Sequence, residues 1–78
     1  MKAYILISTK PGTSLEVVQR IKEKVKEVVE ADAIFGRYDA IMILTAPALE
    51  NINQIVYKVI ENDPNVIRTE TSIVLSPM

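Results

Sequence analysis

Neither cysteine nor histidine occurs in this sequence, and tryptophan is missing as well. Without Cys there is no disulfide, no thiolate nucleophile and no zinc-ribbon or iron–sulfur site; without His the commonest metal ligand and general base is gone. Asp32, Asp39 and Asp63 fall in different turns, and no two carboxylates are spaced to work as an acid/base couple. Phosphate-binding loops of the G-x-x-x-x-G-K-[ST] or G-x-G-x-x-G kind are also absent. The expectation is therefore no catalytic residue, no metal and no cofactor. Charge of one sign is lacking too: 9 basic and 10 acidic residues are interspersed, leaving a net charge of −1 and no basic stripe for a phosphate backbone. Direct nucleic-acid binding is not expected. The longest apolar runs, Ala3 to Ile7 and Ala40 to Leu44, are too short to span a bilayer or to serve as a secretory core. A cytoplasmic location away from membranes is the expectation that follows.

What the sequence does contain is aliphatic residues. Of its 78 residues 49% are hydrophobic, yet only three Tyr and one Phe are aromatic, so the apolar content is mainly Ile, Val, Leu and Ala. Such residues suit sheets and the helices that cover them. The length allows one domain, residues 1–78, and a domain of this size buries only about 60% of its unfolded surface. Association with further copies is a common remedy for so thin a core.

Along the chain two similar halves appear. Ala3 to Thr9 reads as a strand that stops at Pro11-Gly12. Thr13 with Glu16 has the spacing of a capping box, and Val18, Ile21, Val25, Val28 and Val29 continue as a helical stripe. The opposite face, from Glu16 to Glu30, is charged and reads as a solvated helix surface. Ala31 to Phe35 is predicted as a second strand, Gly36-Arg37-Tyr38-Asp39 as a break, and Ala40 to Ala46 as a third strand closing a hairpin. Pro47 suits the first turn of a second helix, with apolar positions at Leu49, Ile52, Ile55, Val56, Val59 and Ile60, which ends at Asn62-Asp63-Pro64-Asn65. Val66 to Leu75 is the last strand. This order is the ferredoxin-like βαββαβ plait of the α+β class: a four-stranded antiparallel sheet with two helices on one face, the first and third strands central.

The strands bear on partners, because a sheet covered on one face should alternate apolar with polar. The first strand has Tyr4 and Leu6 on one face and Ala3, Ile5 and Ile7 on the other; the third sets Ile41 and Ile43 against Met42 and Leu44. Both faces read as buried. The face without helices is expected to pack on a second copy, burying about 800 Å² per partner in an interface of standard size.

Two features are candidates for a ligand. Gly36, Arg37, Tyr38 and Asp39 bring flexible backbone, a cation, a phenol and a carboxylate into one short loop, which could hold a zwitterion; a plain hairpin turn fits the same residues. Thr69 and Thr71 share one face of the last strand, where their hydroxyls could meet a small molecule, although Thr is also an ordinary strand residue.

The succession of Pro11-Gly12, the Gly36-Arg37-Tyr38-Asp39 loop and the closing strand Val66-Ile67-Arg68-Thr69-Glu70-Thr71-Ser72-Ile73-Val74-Leu75 resembles the effector-binding (RAM) domain of the Lrp/AsnC family of transcriptional regulators, over essentially the whole chain. The resemblance implies a non-catalytic domain that dimerises through its sheets, joins further dimers into rings such as octamers, and binds amino acids between neighbouring dimers. It implies that Gly36, Arg37, Tyr38 and Asp39 form the ligand loop and that Thr69 and Thr71 complete the pocket. Asn51 and Gln54, on the polar side of the second helix, are further candidates without a motif behind them. Family members carry an N-terminal helix-turn-helix, whereas here Met1 directly precedes the first strand, so a stand-alone effector domain is expected. It would act on transcription indirectly, through DNA-binding relatives. An ACT-like amino-acid-binding module or a structural oligomer without regulatory role is the alternative, and a small dimeric α/β-barrel enzyme a more distant one.

Overall fold

The computed structural model describes residues 1–75. Strand β1 (Lys2–Thr9) is followed by helix α1 (Ser14–Lys24), the strands β2 (Val28–Ala33) and β3 (Ala40–Thr45), helix α2 (Leu49–Ile55) with a π-helical continuation over Val56–Ile60, and strand β4 (Val66–Ile73). The sheet is antiparallel throughout, in the order β2-β3-β1-β4, with the first and third strands central as the topology requires. The fold is the expected ferredoxin-like α+β plait.

One face of the sheet is built by strict alternation. Ala3, Ile5 and Ile7 of β1 lie opposite Leu44, Met42 and Ala40 of β3, and all six are fully buried. Val17, Val18 and Ile21 of α1 and Ile52, Val56 and Ile60 of α2 and its continuation close over them. These last three residues recur every four positions, more than the 3.6 of an α-helix. The wider π turn, in which Glu61 N–H donates to Val56 C=O at 2.8 Å, keeps all three on the buried side.

Four local expectations are corrected. The first helix stops at Lys24, with Val25 already extended, instead of running on to Val29. Val28 pairs with Leu44 as the first residue of β2, while Val29 forms a bulge and is exposed, so β2 precedes the predicted Ala31–Phe35 span. β-branched residues at 25, 28 and 29 serve a strand as well as a helical stripe, and pairing with β3 decides. Thr13 forms no capping box: its hydroxyl donates to Lys10 C=O at 2.7 Å, and Glu16 turns to Arg20. Pro11 and Gly12 instead make a tight turn, closed by Thr13 N–H to Lys10 C=O, in which Gly12 takes the positive φ of 78° that a type II turn demands. Pro47 precedes α2 rather than entering it, and Asn51 caps the helix by accepting from Ala48 N–H at 3.0 Å.

The two halves are locked by a bidentate ion pair. Arg20 of α1 donates from Nε and Nη2 to the two oxygens of Asp63, at 2.8 and 2.9 Å, and Asn65 N–H adds a third bond to the same carboxylate. Asp63 is buried, so its charge is held by these donors. The Arg20 hydrogen bonds, opposed by burial and helped by Asn65 N–H, keep its carboxyl below the usual carboxylate range. A depressed folded-state pKa gives stability that is complete above the unfolded value of about 4 and disappears as pH falls through the lower folded value. Asp63→Asn is expected to cost about 1–2 kcal/mol at pH 7, the low range for charged hydrogen bonds because Arg20 is partly solvated. Thermal melts from pH 7 down to pH 2.5 check this: the gap between the two proteins should be constant above about pH 5 and narrow below pH 4.

Candidate functional site

The predicted ligand loop sits at the end of the sheet where β1 finishes and β3 starts, and its shape follows from one carboxylate. Thr9 lies beyond the start of β3, so its N–H has no ladder partner there; Asp39 Oδ2 accepts it at 2.8 Å. Asp39 N–H donates to Ile7 C=O and Asp39 C=O accepts from Ile34 N–H, both at 2.9 Å. Asp39 is therefore the staple of the loop, with Oδ1 the oxygen that faces no donor among the described residues.

Between these anchors the backbone is open. Phe35, Gly36 and Arg37 are exposed, and none of the N–H groups from Phe35 to Tyr38 has a protein partner among the described residues. A Cβ at Gly36 would meet nothing within 4 Å. Four successive unpaired donors beside the Arg37 guanidinium can accept a carboxylate, and Asp39 Oδ1 can accept an ammonium group. Tyr38 leaves the loop to donate to Glu70 of β4 at 3.0 Å.

The remaining candidates are placed apart. Thr69 and Thr71 do share a face, opposite Ile7 and Ile5, which puts them on the helix side of the sheet, whereas Glu70 and Tyr38 meet on the open side. The Thr69 hydroxyl donates to Glu61 at 2.6 Å, at the end of the second helical segment. A recess of about 300 Å³ beside it is lined by Glu61, Val66, Ile67, Arg68 and Thr69. Gln54 lies on a wider open groove of about 820 Å³ along the outer side of α2, with Leu49, Asn53, Tyr57 and Glu61. Glu61 borders both. Asn51 belongs to the opposite end of the sheet from the loop, where Met1 and Ala46 exchange hydrogen bonds; Lys2 and Thr9 bound a strand about 23 Å long between the two ends. Glu61 and Glu70 are the partners that sequence reading did not supply. Glu70 stands between the two threonines, so its position on the opposite face was the available signal.

The open face has an apolar centre and polar margins. Tyr4 and Leu6 of β1 and Ile41 and Ile43 of β3 are only half-buried, flanked by Glu30 and Asp32 on β2 and by Arg68 and Glu70 on β4. It is thus less buried than the strand pattern alone implies. Among the described residues no group of three or more acidic residues is placed to hold a metal ion, and no helix is long and apolar enough to cross a membrane.

No curated protein matches this chain. Solved structures do. The structure of FFRP-DM1 is 30% identical over 95% of this chain and 97% of that one, with a TM-score of 0.87. A hypothetical protein of Pyrococcus horikoshii, PHS023, is 29% identical over 97% and 90% of the two chains, also with a TM-score of 0.87. The transcriptional regulator NMB0573 of Neisseria meningitidis, solved as a complex with L-Met, shares the fold at 20% identity and a TM-score of 0.83, and this chain spans 49% of its length. The family described as "Lrp/AsnC ligand binding domain" matches residues 2–78. With a match over all but its first residue, the chain belongs to the Lrp/AsnC ligand-binding domain family.

Proposed function

We propose that this domain is a non-catalytic cytoplasmic sensor of a free amino acid, which assembles with copies of itself through the open face of its sheet and acts on Lrp/AsnC-type transcription indirectly. The observation that carries the reading is the loop Phe35–Asp39: four unpaired N–H groups and Arg37 for a carboxylate, and the free oxygen of Asp39 for an ammonium, all in a domain of a ligand-binding family. The related fold that holds L-Met supports the ligand class. Thr69, Thr71 and Gln54 lie apart from this loop within one copy and join the proposed pocket only where neighbouring copies meet, and Asn51 acts mainly as the cap of α2.

The apolar strip Tyr4, Leu6, Ile41 and Ile43 supports face-to-face dimers, since a contiguous half-exposed patch with a polar rim is the anatomy of an interface. Such a dimer exposes its loops at the edges, where further dimers can approach. A ligand alters the assembly to the extent that it binds one oligomeric state better than another.

Binding is checked by calorimetry against the twenty L-amino acids. Arg37→Ala, at an exposed position, should weaken the best ligand by about 10- to 100-fold and leave the melting temperature unchanged; unchanged affinity rejects the loop as the carboxylate site. Asp39→Ala should both weaken the ligand and destabilise the fold by about 1–3 kcal/mol, because Thr9 N–H loses its partner in a buried position. For assembly, Leu6→Arg places a charge in the middle of the apolar strip and should lower the mass in solution at least twofold, read by native mass spectrometry with circular dichroism confirming the fold.

A further inference from the structure

We infer that Glu70 is a positioning residue for the ligand loop: by accepting the Tyr38 hydroxyl it holds residues 35–38 in the arrangement that presents their unpaired N–H groups together. The inference rests on the proposed capture of a zwitterion by that loop and adds the side chain that keeps the loop in shape. Asp39 closes only the base of the loop, through Ile7 C=O, Thr9 N–H and Ile34 N–H. Beyond that base, the bond from the Tyr38 hydroxyl to Glu70 Oε2, at 3.0 Å, is the one hydrogen bond made by any side chain of residues 35–38 among the described residues.

The sheet order dictates what this bond requires. Tyr38 precedes β3, Glu70 belongs to β4, and β1 runs between those two strands. Two strand spacings amount to about 10 Å, so the gap closes only when a long side chain with a donor meets a long one with an acceptor. Glu70 lies opposite Leu6, and alternation sets it on the open face with Arg68 and Ser72, while Thr69 and Thr71 face the helices. Arg68, opposite Ser8, is nearer the loop but has no acceptor to offer; Ser72, opposite Tyr4, is short and farther away. Glu70 is the residue of β4 whose chemistry and place both suit the phenol.

Nothing else claims this carboxylate. Among the described residues Glu70 forms no ion pair, and the Tyr38 hydroxyl is the only donor to its side chain. Hydrogen bonds to a carboxylate are the stronger kind, although exposure to water reduces this one to a modest effect. A loop whose own N–H groups are unpaired loses conformational freedom when it closes on a carboxylate. A tether already made in the free protein removes part of that cost, which raises affinity without any contact between the tether and the ligand. Tyr38 contributes the last of the four unpaired donors and directly follows Arg37, so holding its side chain restrains both groups that meet the carboxylate. Glu70 acts through Tyr38 and touches no ligand itself.

The test is a double-mutant cycle with two readouts. Tyr38→Phe and Glu70→Ala each remove the bond, and each should weaken the amino acid bound tightest among the twenty by about fivefold in calorimetry. The double variant Y38F/E70A should lose no more than either single change, because both delete one interaction. Glu70→Gln keeps an acceptor and should stay within about twofold of the wild type. The second readout needs no ligand: nuclear magnetic relaxation of the amides of residues 35–38 should show the loop loosened alike by Tyr38→Phe and Glu70→Ala, and no further in the double variant, with circular dichroism unchanged. Loop order indifferent to both changes, or losses of affinity that add in the double variant, overturns the inference. Should the wild-type protein bind none of the twenty amino acids, the sensor reading fails and the amides alone decide the tether: loosening in both variants upholds it, and unchanged order overturns it.

Discussion

Two helices can cover only one face of a four-stranded sheet, and this constraint organises the rest of the molecule. β1 and β3 sit at the centre and send Ala3, Ile5, Ile7, Ala40, Met42 and Leu44 toward the helices, where burial is complete. The same strands send Tyr4, Leu6, Ile41 and Ile43 the other way, where nothing among the described residues covers them fully. A central strand that is aliphatic on both faces is not needed by one copy of this fold. The proposed face-to-face pairing would cover this second face, in a domain of a size whose core is thin on its own.

The same economy explains the Arg20–Asp63 pair. With so little apolar volume between sheet and helices, the register of α1 against the turn that leads into β4 is fixed by geometry more than by burial. A guanidinium fork on a carboxylate that also accepts Asn65 N–H allows little rotation. The cost of desolvating Asp63 is met by three donors, which is why the acid is stable in a buried position at neutral pH. The pair connects residues 43 positions apart and so joins the two βαβ halves directly.

Sequence reading reached those features that local chemistry decides. The β-rich runs of β1 and β3, the Pro11-Gly12 turn and the division into two halves were all legible, because strand-forming and turn residues act over a few positions. The end of α1 was not, since Val25, Val28 and Val29 satisfy both periods and only the pairing of Val28 with Leu44 separates them. Thr13 and Glu16 had the spacing of a capping box, but the hydroxyl found Lys10 C=O and the carboxylate found Arg20, competitors that spacing does not reveal. Asp63 read as a helix terminator because its partner is distant in sequence. Likewise Asp39 read as a ligand group, while its hold on Thr9 N–H depends on where β3 begins. The pairing of Thr69 with Thr71 was visible in the alternation; which face they share required the register against β1.

Glu70 ties the proposed ligand loop to the last strand. Its carboxylate takes the Tyr38 hydroxyl, so the ligand loop and β4 are joined through one side chain. A ligand in the proposed loop that draws Tyr38 toward itself would have to break this bond. Because coupling between sites is reciprocal, any preference of a ligand for one state of this contact must appear equally as a preference of that state for ligand. The size of that coupling is bounded by the hydrogen bond exchanged, about 1 kcal/mol or a fivefold change in affinity, so the Tyr38–Glu70 contact suits graded adjustment rather than an all-or-none switch.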